Sequence, residues 1–101
     1  MIHPAIKIPY DRLRDYCRSH GIREMALFGS ATRADFEPER SDLDLLVDFE
    51  PEAAFGLIEF CRIQLELSEL LGRKVDLVEK TGLKSAIRNQ VMGEAEMIYA
   101  G

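Results

Sequence analysis

The segment Asp42–Phe49 constrains the fold more than any other stretch of the chain. Every second position from 43 to 49 is apolar, and the other four positions of the segment carry three aspartates and a leucine. This alternation predicts a β-strand that turns one face toward a hydrophobic core. Asp42 and Asp44 leave the other face about 6–7 Å apart, where they repel each other by roughly 2–3 kcal/mol at an effective dielectric near 20. Taken alone, such a pair is more often a solvated strand face than a site.

A third carboxylate changes that balance. Asp76 lies within Lys74–Val78, a short predicted strand whose alternate residues are apolar. If the two strands are neighbours, three carboxylates converge, and cations are needed to offset their charge. Hard divalent ions prefer oxygen ligands, and Mg²⁺ keeps waters and substrate phosphates as its other ligands. Asp48 and Glu79 are less well placed, and we expect both to be solvated.

A glycine–serine pair supplies a complementary feature. Gly29 and Ser30 interrupt the predicted strand Ile22–Phe28 and precede one or two predicted turns of helix. Glycine lets a phosphate approach the backbone, and amide N–H groups at a helix start would donate to it together with the serine hydroxyl. Arg33, about one turn into that helix, would reach the phosphate or pair with a nearby acid such as Asp35. The ordinary alternatives are a capped turn and a solvated arginine.

The other periodic segments complete a small α+β fold. The pattern predicts a mixed β-sheet packed against helices, with a polar loop before the aspartate-bearing strand. Helices are predicted at Asp11–His20, Ala54–Leu71 and Leu83–Met92. The polar loop is predicted at Asp35–Ser41, and a final edge strand at Glu96–Tyr99. The helix from Ala54 is apolar around most of its surface, so it is either the central core helix or a partner surface.

Composition narrows the classes of function. A chain of 101 residues with 47% hydrophobic residues fits one domain. Its formal charge of −5 disfavours direct binding to nucleic acid. Its apolar stretches are too short to span a membrane, so we expect a cytoplasmic protein. Cys17 and Cys61 carry no motif and are expected to pack in the core as small hydrophobes.

Several of these residues together resemble a known family. Gly29 and Ser30, Arg33, the segment Ser41–Val47 and Asp76 resemble the minimal nucleotidyltransferases of the polymerase-β-like superfamily. The resemblance is closer to the MntA-type antitoxins, which pair with HEPN-domain toxins. It covers roughly residues 22–78 strongly, and it implies a single minimal nucleotidyltransferase domain over residues 1–101.

The chain departs from the family pattern at two places. Ala34 stands where the family usually has a glycine after the arginine, and the connection from Ser30 to Asp42 is one residue longer than usual. Loop lengthening by one residue has little entropic cost. Neither departure changes a carboxylate that the resemblance places at the site.

The resemblance also implies a mechanism. The family holds Mg²⁺, two ions in all, on three carboxylates, which would be Asp42, Asp44 and Asp76. ATP is the nucleotide, and its phosphates would be bound by Gly29, Ser30 and Arg33. The reaction is an in-line displacement at the α-phosphate that expels pyrophosphate.

The acceptor implied by the resemblance is a tyrosine on a cognate HEPN-type RNase toxin, and the resemblance also allows a hetero-oligomer of toxin and antitoxin. Two alternatives stay open: a non-catalytic module that occludes its partner, and a nucleotidyltransferase with a small-molecule acceptor. Four further basic residues could meet a triphosphate or an acidic partner, although solvated surface charge is the simpler interpretation. These are Arg73, Lys74, Lys84 and Arg88.

Overall fold

The computed structural model describes residues 1–53 and 56–101 and contains a four-stranded mixed sheet. The strands are β1 (Ile22–Phe28), β2 (Leu43–Phe49), β3 (Val75–Glu79) and β4 (Glu96–Ala100), arranged in the order β3-β2-β1-β4. β1 runs antiparallel to both β2 and β4, whereas β2 and β3 are parallel. The predicted α+β class with a small mixed sheet is confirmed.

Helices cover both faces of this sheet. They are α1 (Tyr10–Ser19), α2 (Leu57–Leu71) and α3 (Ser85–Glu94). Buried residues of α1 and α2 pack with one sheet face in the larger hydrophobic cluster, and α3 contributes to a smaller cluster on the other face. The predicted boundaries differ from these by one to three residues, because helix ends depend on capping contacts that periodicity does not show.

The apolar surface of α2 is only partly covered. Its buried residues are Ile63, Leu67 and Leu71. By contrast, Leu57 is 77% exposed and Ile58 is 81% exposed. The interpretation as a core helix is therefore right for one face of α2, while a second apolar face meets solvent. The predicted start at Ala54 lies outside the described residues, and the described helix begins at Leu57 after Gly56.

The two cysteines have different environments. Cys17 is fully buried in the larger cluster, and this burial raises the pKa of its thiol to about 12. Cys61 is exposed, so the prediction that it packs in the core is wrong. It lies one turn beyond Leu57 and Ile58 and shares the solvent-facing side of α2. Both thiols are free.

Asp48 also differs from its prediction. It is only 7% exposed, and the guanidinium of Arg23 donates a hydrogen bond to its carboxylate. Side chains that include Lys80 and Met97 line a small cavity next to it. Alternation in β2 identified the face that carries Asp48 but not the residues that cover that face. Glu79 is exposed, as predicted.

No helix in the described part of the chain is both long and apolar enough to cross a lipid bilayer.

Candidate active site

The parallel pairing of β2 and β3 places two aspartates side by side. Asp44 is the register partner of Asp76, and the flanking pairs are Leu43 with Val75 and Leu45 with Leu77. Because side chains alternate along a strand, the two carboxylates leave the sheet on the face opposite those buried leucines. The adjacency that the sequence argument required is present. Neighbouring strands lie about 4.8 Å apart, so the two carboxylates lie close together.

Asp42 precedes this pair and has a different partner. It lies one residue before β2 begins, so its predicted place within the strand is wrong by one position. One of its carboxylate oxygens, Oδ2, is 3.9 Å from Nζ of Lys74, and the Asp42 side chain is 44% exposed. An exposed ion pair at this distance contributes little, so Asp42 is free to turn toward the other two carboxylates.

Charge in this region is not balanced. Asp44 is half-buried, and burial is the largest cause that raises the pKa of its carboxyl above the usual value. The negative charges of Asp76 and Asp42 raise that pKa further, while Arg33 lowers it. The ionised form of Asp44 is thus disfavoured by its own surroundings. A bound cation would remove that penalty.

Gly29 packs directly against the Asp44 carboxylate. Its φ angle is +69°, a left-handed conformation that favours glycine. A Cβ built at this position would lie 2.4 Å from Oδ2 of Asp44, which is too close for any side chain. Both the backbone conformation and the missing side chain are therefore needed for the carboxylate to sit where it does.

The turn that follows is tighter than predicted. Gly29–Thr32 forms a 3₁₀ helix, and Arg33 follows it in an extended conformation instead of lying one turn inside an α-helix. The Thr32 hydroxyl donates to the Gly29 carbonyl oxygen, and the Arg33 amide donates to the Ser30 carbonyl oxygen. These bonds span three residues, which closes a 3₁₀ turn and ends it early.

Arg33 and Gly29 share an acidic partner that the motif did not indicate. Glu94, the last residue of α3, accepts from Nη1 of Arg33 through Oε1 and from the Gly29 amide through Oε2, each at 3.3 Å. Arg33 also pairs with Asp35, as one of the sequence alternatives proposed, at 3.2 Å. The only sequence signal for Glu94 is an acid at a helix C-terminus, where the helix dipole disfavours one.

The lengthened loop before Asp42 is anchored in the core. Phe36 is 4% exposed, with its ring 5.1 Å from that of His3 and 5.2 Å from the guanidinium carbon of Arg73. Outside positions 54 and 55, no residue other than glycine has a positive φ, so Ala34 does not need the glycine of the family pattern. Both departures from that pattern are therefore accommodated without backbone strain.

Phe36→Ala is expected to lower the free energy of unfolding by about 3 kcal/mol, because it empties a buried site that holds this loop. Urea denaturation would measure the loss. Leu57→Ala is the control, since that side chain is exposed and its removal should change stability by no more than about 0.5 kcal/mol. Equal losses in the two variants would show that Phe36 does not anchor the loop.

The other basic residues hold other positions in the fold, and the contacts of Arg73 and Lys74 are with groups other than Asp44 and Asp76. Arg73 donates to the Pro38 carbonyl oxygen and stacks over Phe36, so it holds the loop. Lys84 and Arg88 are exposed on and beside α3. Lys74 is the member of this set that contacts a predicted site residue.

The donor chemistry fits a hard divalent cation. The three predicted ligands are all carboxylates, which Mg²⁺ prefers, and the pKa of Asp44 stays above its usual value although Arg33 lowers it. Within residues 1–53 and 56–101, however, no group of three or more acidic, imidazole or thiol side chains is arranged to hold an ion. Asp42 is paired with Lys74.

The mixed sheet and its facing aspartates agree with the class of protein found by comparison. A family model described as the nucleotidyltransferase domain matches residues 10–98. The chain belongs to this family and is a nucleotidyltransferase. Within the family it is of the MntA type: it is 45% identical over 74 residues to protein adenylyltransferase MntA of Thermococcus cleftensis, covering 73% of this chain and 72% of the relative.

Two solved structures share the fold at lower identity. One is a toxin–antitoxin with AMP-PNP, with a TM-score of 0.72 and 20% identity over 93% of this chain and 75% of the other. The second is a tri-AMPylated Shewanella oneidensis HEPN toxin in complex with MNT antitoxin. Its TM-score is 0.65 at 18% identity, covering 91% of this chain and 70% of the other. The resemblance drawn from sequence motifs is thereby confirmed at the level of family and fold.

Proposed function

We propose that this protein is an antitoxin that transfers AMP from ATP to a tyrosine of a cognate HEPN-type RNase toxin. The observation that carries the proposal is the register pairing of Asp44 with Asp76 beside Gly29, where any side chain would collide with the Asp44 carboxylate. The 45% identity to a protein adenylyltransferase supports AMP as the transferred group and a protein as the acceptor. Residues 1–101 would form one catalytic domain that acts in the cytoplasm, where ATP is available.

The three carboxylates would hold Mg²⁺, two ions by the family pattern, on Asp42, Asp44 and Asp76. When bound, the metal would neutralise the negative charge of the phosphates during the in-line displacement at the α-phosphate. The tyrosine oxygen forms a bond to the α-phosphorus as the bond to the leaving pyrophosphate breaks. Asp76, which is more exposed than Asp44, would accept the tyrosine proton. Catalysis of this kind depends on positioning and charge neutralisation, and needs no covalent enzyme intermediate.

The phosphate chain would bind beside these carboxylates. The Gly29 amide, the Ser30 hydroxyl and the Arg33 guanidinium would donate to it, and the first and last of these already share one acidic acceptor, Glu94. The positive charge of Arg33 lowers the pKa of Asp44, which supports a place for Arg33 beside that carboxylate. The formal charge of −5 also suits a protein acceptor better than a nucleic acid.

The test is the intact mass of the toxin after incubation with this protein and Mg²⁺-ATP. We expect the mass to rise by whole AMP units, with tyrosine as the modified residue in peptide mapping. The double variant Asp42→Asn/Asp44→Asn should give no rise. Glu69→Gln is the control for a lost negative charge, since Glu69 is exposed on α2.

Each alternative predicts a different outcome. If the double variant still neutralises the RNase fully, the protein acts by occlusion and the enzymatic proposal is wrong. If the toxin mass never rises while a small molecule is adenylylated, the acceptor assignment is wrong.

A further inference from the structure

We infer that Glu94 occupies the position that the β- and γ-phosphates of ATP would take, and that nucleotide must displace it. Glu94 would therefore set the affinity of the protein for ATP. This inference rests on the proposed function, since it takes the phosphate donors from there. It adds a residue at the end of α3 that belongs to none of the motifs in the sequence.

The first argument is the geometry of the Glu94 carboxylate. Its two oxygens bridge the Arg33 guanidinium and the Gly29 amide, one oxygen to each donor. These are two of the three donors assigned to the phosphates. An ionised carboxylate is an acceptor-only group that takes such donors as a phosphate oxygen does. While Glu94 holds both donors, a triphosphate competes for the same hydrogen bonds.

The second argument is that Glu94 is held weakly enough to leave. Both contacts are 3.3 Å long, at the far end of the hydrogen-bond range. The side chain is 27% exposed, so it can turn toward water. Glu94 is also the last residue of α3, where the helix dipole repels a negative charge. Arg33 keeps a second partner in Asp35, so it stays near the site after Glu94 leaves.

The third argument is the local charge. The Gly29 backbone lies against the Asp44 carboxylate, and the Gly29 amide donates to Glu94, so two acidic side chains meet at the same glycine. Like charges this near each other repel, which favours the release of Glu94. Until phosphate takes its place, Glu94 accepts from the Gly29 amide and from Arg33.

The experiment is a calorimetric titration of the full chain with AMP-PNP in the presence of Mg²⁺, repeated with AMP. Glu94→Gln keeps the size of the side chain and removes its charge. We expect it to bind AMP-PNP about three- to tenfold more tightly than the wild type, because less binding energy is used to displace it. Its affinity for AMP, which lacks the β- and γ-phosphates, should not change. Glu94→Ala should shift affinity in the same direction, which guards against a folding defect in one variant.

Glu69→Gln controls for the change of net charge, since Glu69 is exposed on α2 and should leave both affinities unchanged. The inference is overturned if both Glu94 variants bind AMP-PNP no more tightly than the wild type, or if AMP gains as much as AMP-PNP. If folded wild type and variants all fail to bind AMP-PNP, the proposed function fails together with it. If the variants bind more tightly but the toxin is never adenylylated, the inference about Glu94 stands and the acceptor assignment fails.

Discussion

Asp44→Asn is expected to abolish AMP transfer and, at the same time, to make the nucleotide-free protein more stable. Asp44 and Asp76 are opposite each other on adjacent strands, and like charges in that relation are destabilising. Removing one charge should raise Tm by about 2–5 °C for a domain of this size. Transfer should fall by at least about 10³-fold, since the variant lacks a proposed cation ligand. Thermal unfolding and the toxin mass measure the two effects.

The stability effect should depend on pH with a defined sign. Folding raises the pKa of Asp44, so the ionised carboxylate is less favourable in the folded protein than in the unfolded chain. The stability contributed by this group is fully present below the pKa of the unfolded chain and is lost as pH rises through the raised pKa. The difference in Tm between variant and wild type should therefore open from acidic pH and level off toward neutrality. A series of unfolding curves between about pH 4 and pH 8 would show it.

Two controls accompany this prediction. Glu69→Gln removes an exposed charge from α2 and should leave Tm and transfer nearly unchanged. Mg²⁺ should raise the Tm of the wild type but not that of Asp44→Asn, because a ligand stabilises only the protein that binds it. A lower Tm in Asp44→Asn, or transfer at the wild-type rate, would contradict the assignment of Asp44.

Gly29→Ala is expected to be strongly destabilising for the addition of a single methyl group. The variant would meet two penalties, a side chain at φ +69° and a Cβ placed 2.4 Å from Asp44 Oδ2. We expect the free energy of unfolding to fall by about 2–4 kcal/mol, which corresponds to a Tm lower by roughly 10 °C or more. Displacement of the Asp44 carboxylate should also remove measurable AMP-PNP binding.

Gly72→Ala separates those two penalties. Gly72 has nearly the same backbone angle, φ +71°, but a Cβ there meets no atom within 4 Å. Its alanine variant should lose about 1 kcal/mol from the backbone conformation alone and keep full nucleotide binding. If the two variants lose equal stability and both bind AMP-PNP, close packing of Gly29 on Asp44 has no role in the site.

The sequence predicted the elements of this fold better than the surroundings of their side chains. Alternation in β2 correctly separated the buried Leu43 and Leu45 from Asp44, because period-two patterning identifies which residues share a face. It did not show what covers that face, so the burial of Asp48 by Arg23 was missed. The same limit explains Cys61, since α2 is apolar on a face that no described element covers.

The sequence could predict those parts of the candidate site that depend on residues close together in the chain. Asp76 could be linked to Asp44 only on the condition that their strands were neighbours, which the parallel pairing supplies. The contact between Glu94 and Arg33 joins residues far apart in the chain, and no local pattern predicts it. The 3₁₀ turn after Phe28 was also missed, because apolar periodicity does not show whether the Arg33 amide bonds back three residues, to Ser30, or four.

The register between β2 and β3 makes the carboxylate pair an all-or-none feature of the fold. A slip of one residue would place Val75 or Leu77 opposite Asp44 and turn Asp76 to the other face of the sheet. Such a slip would also take both apolar residues out of the core, so it carries a large penalty. The hydrophobic residues of β3 therefore fix the register of the two aspartates. Any folded molecule that keeps these residues in its core also has Asp44 and Asp76 paired.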